Sequence, residues 1–303
     1  MKTRHALVIA ALVVLTGCDQ GEPENPEMDS PAAVTPPLEP SPPPEPEPPS
    51  SCDSDMELSE QNLELFYAHP TCRLTAEGVT FSELRYVPGA TLHLTDVTIT
   101  GELVADRSEH DRSEIVLNNV EAEGFAFRRS DIRAQSLRAD TINAVHSSVQ
   151  IEGVVGRRLH FQVATVTVSQ AELDLLEVYP GGKLIADEPR LNTLVVVGAP
   201  ERDWTPGQPA RADVTGGTVQ RLHVGGESEA SLHGTSVEDA LTIEGTLIIE
   251  EAHISAEDIT MRQGGAVISR ASDISHVEQF DGALRIIDDP DVVLRDVDPS
   301  SLE

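Results

Sequence analysis

Between Glu114 and Gly181 the chain repeats itself every seventeen residues: EIVLNNVEAEGFAFRRS, DIRAQSLRADTINAVHS, SVQIEGVVGRRLHFQVA and TVTVSQAELDLLEVYPG. Each block holds three apolar anchors at a spacing of five. They are Ile115/Val120/Phe125, Ile132/Leu137/Ile142, Val149/Val154/Leu159 and Val166/Ala171/Leu176. A short fixed period of this kind marks a solenoid, in which each repeat buries its apolar face only against its neighbours. The first and third anchors carry an apolar partner two residues on, as in Ile115 with Leu117 and Leu159 with Phe161. Spacing of two is strand periodicity, and the three-and-four stripe of a helix is missing. The middle anchor stands alone, as a very short strand or a bend would.

The spacing predicts an all-β fold: a right-handed, single-stranded parallel β-helix of short coils. The hand follows from the general preference of parallel crossovers. The frame extends outward through Leu74/Val79/Leu84 and Leu92/Val97 on one side. On the other it runs through Leu184/Leu194, Ala212/Leu222, a slipped coil at Leu232/Val237/Leu241, Ile249/Ile254/Ile259 and on to Leu284/Leu294. That is about twelve coils, or about 55 Å of rod at the spacing between hydrogen-bonded strands. The position two beyond the third anchor reads Tyr86, Phe127, Ala144, Phe161, Val178, Val196, Val224 and Met261, a single inward column.

The chain has 303 residues, but its first fifty do not share this pattern. Lys2 and Arg4 precede a ten-residue apolar run, Ala6–Leu15, too short to span a bilayer. Leu15-Thr16-Gly17-Cys18 resembles the lipobox of bacterial lipoproteins. The resemblance implies a signal peptide over 1–17, cleavage before Cys18, and acylation of that cysteine. Two or more acyl chains anchor a protein stably. The expected address is therefore the cell envelope, on the outer membrane or a periplasmic face. Residues 18–51 form a tether rich in proline, with eight Asp and Glu after Cys18 and no Lys or Arg. Such a composition cannot bury enough apolar surface to fold.

Cys52 and Cys72 are the remaining cysteines. In an exported chain an even pair reads as a disulfide. Between them Ser59 can N-cap a short helix, with Leu63, Phe66 and Tyr67 facing inward. The segment CDSDMELSEQNLELFYAHPTCRLTAEGVTF resembles the opening of receptor L-domain β-helices. This implies a disulfide-linked cap with a short N-terminal helix over 52–73, and the β-helix proper over 74–303. The blocks SDIRA, QSLRA and DTINA are similar to pentapeptide-repeat proteins. That family keeps fives throughout, whereas the third gap here is seven or eight, so only the geometry carries over.

Two insertions break the frame, Ala105–Ser113 and Gly198–Arg211, the latter with the only tryptophan, Trp204. Both fall between third and first anchors and should leave from one edge, and insertions in repeats often mark a binding face. Trp204 either plugs the rod locally or contacts a sugar or a partner.

The formal net charge is −31. It argues against nucleic acid and anionic lipid as electrostatic partners and favours solubility, cationic partners or divalent ions, while the disulfide cap, tether and acidic end point to a monomer. The sequence holds no nucleophile elbow, phosphate loop or metal-ligand spacing, so no cofactor or metal is expected. One outward column carries Asn143, His160 and Glu177 on successive coils, and a neighbouring one carries Asp140, Arg157, Arg158 and Asp174. These form either a ladder of surface ion pairs or a shallow patch for a cation or glycan. Three roles follow. The first is a non-catalytic structural, adhesive or ligand-presenting protein. The second is a polysaccharide-binding or -degrading protein, since β-helices include polysaccharide lyases. The third is a self-assembling scaffold resembling the bactofilins in coil length.

Overall fold

The computed structural model describes residues 50–106, 111–198 and 209–255, and beyond them strand segments within 258–294. It is an all-β parallel solenoid of about eleven turns, with no helix among the described residues. Every strand pairing is parallel, and Ser113–Arg128, Ser130–Val145, Ser148–Gln162 and Thr165–Val178 stack seventeen residues apart. All twelve anchors of these four coils are buried, none more than 2% exposed. The inward column predicted from Tyr86 to Val224 is buried throughout.

The middle anchor does not stand alone. Ile99, Ala122, Ala139, Gly156, Leu173 and Leu191 share one register line two residues beyond it. All three faces of the coil therefore carry an inward pair. The middle pair is faint in the sequence because Ala122, Ala139 and Gly156 are small in the regular blocks. The apparent slip at Leu232 has the same origin. Ala230 takes the first-anchor place, opposite Ala212, and Leu232 is its partner two on. Leu247 likewise precedes Ile249.

Two corners explain the repeat. Just before each middle anchor the backbone turns through the left-handed region, at Glu60, Gly78, Asp96, Asn119, Ser136, Gly153, Gln170, Glu188, Gly216, Gly234 and Glu251. Polar residues and glycine tolerate that conformation best. The third-to-first corner is more variable. In the regular coils a single residue, Arg129, His146 or Val163, makes the bend. Elsewhere a β-turn does so, as in Tyr179-Pro180-Gly181-Gly182, where Gly182 N–H donates to Tyr179 O at 2.8 Å. Proline at the second place and Gly181 at φ 74° in the third suit a type II turn. Both insertions leave from this same corner, as their ends at Asp106, Asp111, Gly198 and Pro209 show. Residues 107–110 and 199–208, with Trp204, lie outside the described residues, as do Cys18 and the expected signal peptide and tether up to residue 49.

The expected capping helix is not formed. Its residues make strands β2 (Asp55–Ser59) and β3 (Asn62–Ala68), which pair with the next coil from Asp55↔Arg73 to Ala68↔Tyr86. The solenoid thus begins before residue 74. Leu63 and Phe66 do face inward, but as strand residues, because the coil above offers a parallel edge that a helix would leave unpaired. The cap is instead a two-residue strand, β1 (Ser51–Cys52), paired with β3 and joined by the Cys52–Cys72 disulfide with Cα atoms 5.5 Å apart.

Candidate functional site

The third face brings Asn143, His160 and Glu177 side by side on successive coils, as their spacing predicts. Glu177 is the only charged side chain in the buried set among the described residues, at 9% exposure. Its carboxylate is fully engaged. Oε2 accepts from Arg158 Nε at 2.6 Å, and Oε1 accepts from the Tyr179 hydroxyl at 3.4 Å. His160 Nδ1 lies 3.8 Å from Oε2, and its ring stacks on Tyr179 with centroids 4.4 Å apart. Asn143 lies in register below His160, and no hydrogen bond joins it to this cluster.

Burial holds the His160 imidazole below its ordinary value; Glu177 pulls it back up and Arg158 pushes it down. Burial also raises the Tyr179 phenol, helped by the nearby carboxylate. The cluster therefore favours neutral His160 and neutral Tyr179 around one ion pair. A carboxylate bonded through both oxygens is poorly placed to take a proton from a substrate. Tyr179 was missed at the sequence level. Its signal was there, two residues after Glu177 at the start of a proline turn. Arg158 sits one place off the neighbouring column, where the coil bends from the middle to the third face.

A hollow of about 370 Å³ lies on the first face between Asp55 and His93, and a longer concave stretch lies along the middle face. Two adjoining hollows of about 620 and 480 Å³ meet at Val155 and Gly156. Together they run from Thr98 to Glu238. One side is formed by outward residues such as Glu121, Arg138, Glu172 and Arg190. The other carries Glu123, Asp140, Arg157, Asp174 and Asn192. The neighbouring column of Asp140, Arg157 and Asp174 thus lines a groove, while the His160 column does not. The floor is formed by the inward positions of the middle face, among them Ala122, Ala139, Gly156, Leu173 and Leu191. At Gly156 a Cβ would meet the Ala139 carbonyl oxygen at 2.3 Å, so only glycine fits. Val155, 46% exposed, is the apolar point at the centre. Within the groove Arg157 pairs with Asp140 at 3.6 Å, and Asn192 donates to Asp174 at 2.7 Å.

Among the described residues no group of three His, Cys, Asp or Glu is arranged to hold a metal ion. No protein-family model, curated protein or solved structure matches this chain. The class that fold and site define is a parallel β-solenoid with a groove of charged walls and apolar floor along one face and a paired polar cluster on the next.

Proposed function

We propose that this protein is a lipid-anchored rod of the cell envelope with a structural, adhesive or ligand-presenting role and no catalytic step. The observation that carries the reading is the groove: two adjoining hollows along the middle face, with charged walls and an apolar floor, that span several coils of the rod. A long surface repeating at strand spacing suits an extended partner, and repeat proteins commonly bind along such surfaces. Support for the absence of catalysis comes from Glu177, whose oxygens are taken up by Arg158 and Tyr179. The lipobox-like Leu15–Cys18 and the acidic tether motivate the address.

A second reading, a polysaccharide-binding or polysaccharide-degrading protein, draws on the same groove. Its carboxylate, guanidinium and amide side chains can bond sugar hydroxyls. A glycan array and a pull-down with residues 52–303 test both. Presentation predicts retention of a ligand without turnover, weakened by Val155→Arg at the centre of the groove. Turnover of any retained glycan would replace the first reading with the second. For the anchor, Cys18→Ala is expected to move the protein from the membrane to the soluble fraction. Unchanged fractionation would remove the lipid from the proposal.

A further inference from the structure

The N-terminal end of a solenoid exposes unpaired strand edges, and such edges invite pairing with another chain. In the first coil two of the three edges are guarded by charge. The first-face strand β2 carries Asp55 and Glu57, with Asp53 just before it and Glu60 just after. The middle-face part of β3 carries Glu64. The third-face edge, Leu65-Phe66-Tyr67-Ala68, has no charge at all. Leu65 is also one of three large apolar residues exposed among those described, at 38%.

This uncharged edge is the one that β1 covers. Tyr67 N–H donates to Ser50 O at 3.0 Å, and His69 N–H donates to Cys52 O at 2.9 Å. Two residues of strand hold themselves weakly. The Cys52–Cys72 bond ties them to the corner of the second coil, closing a loop of 20 residues. We infer that β1 is a disulfide-held plug over the first coil's one uncharged edge, and that releasing it lets two copies of this chain pair through Leu65–Ala68. An antiparallel pairing of this segment with itself is closed and two-fold, so it would stop at a dimer. Release needs a dithiol reductant. Its two thiols become a disulfide as Cys52 and Cys72 become two thiols, with two electrons and two protons transferred.

Sedimentation velocity of the full chain carrying Cys18→Ala, with and without dithiothreitol, tests this. The oxidised protein is expected to be monomeric and the reduced protein dimeric, with the β-sheet circular dichroism retained. Adding Cys52→Ser and Cys72→Ser should give the dimer without reductant. Adding Tyr67→Lys to that variant puts charge on the bared edge and should restore the monomer. A folded monomer after reduction would overturn the inference. So would a dimer that survives Tyr67→Lys. Loss of the β-sheet signal on reduction would also overturn it, because the bond would then be holding the rod and not only the plug.

Discussion

Tyr86 spans two coils of the rod, and replacing it with phenylalanine isolates one buried hydroxyl. The side chain is fully buried. Its side chain reaches past the third coil to the corner between the fourth and fifth. There its hydroxyl lies 2.9 Å from Ser130 Oγ and accepts the Arg128 N–H at 3.3 Å. Ser130 Oγ in turn donates to Arg128 O at 2.9 Å, so the phenol donates to the serine. Tyr86→Phe keeps the packing and leaves the Arg128 N–H without this acceptor, while Ser130 Oγ keeps its bond to Arg128 O. A buried group left without its hydrogen bond costs about 1–3 kcal/mol. Burial also pushes the phenol from 10.0 up to about 12, with the bonds to Ser130 and Arg128 acting in the opposite direction. The unfolded chain therefore loses this proton first as pH rises. The contribution is whole below about pH 10 and is lost between 10 and 12, on the order of 3 kcal/mol at full loss. Urea unfolding of wild type and Tyr86→Phe, followed by circular dichroism at pH 8 and at pH 12, checks both parts. The variant should be weaker at pH 8, and the gap should close or reverse by pH 12. A gap that stays constant across that range would refute the buried-phenol argument.

Arg158→Ala leaves Glu177 without its main partner at a nearly buried position and should destabilise the rod by about 1–3 kcal/mol in urea unfolding. Much of that should return in Arg158→Ala with Glu177→Leu. Gly156→Ala drives a methyl into the Ala139 carbonyl and should lower the denaturation midpoint by about 1–3 kcal/mol equivalent, with faster hydrogen exchange in the two flanking coils. His160, held below its ordinary value by burial, binds its proton first in the unfolded chain. Stability should fall as pH drops below the ordinary histidine value of 6.5, and His160→Gln should remove that part of the slope.

The architecture was legible because a solenoid writes its contacts into local spacing. Each inward anchor of the four regular blocks meets the residue seventeen places away, so the period in sequence is the period in space. The same logic placed Asn143, His160 and Glu177 in one row and brought both insertions to one corner. What escaped lay where side-chain size hid the pattern. Ala122, Ala139 and Gly156 are inward positions too small to register as anchors, and they line the floor of the groove. Ser59–Ala68 carried a plausible helix cap, but pairing with the coil above decided for strand.

The sequence by itself determined the coil, its parallel strands, the inward columns and the proximity of Cys52 to Cys72, because each rests on period or on pairing by count. Only the tertiary structure decided that Tyr86 crosses two coils to reach Ser130, and that Tyr179 and Arg158 close around Glu177. It also decided that two hollows adjoin along the middle face. These depend on which residue is small beside which one is large, a relation between neighbouring coils that no single repeat contains.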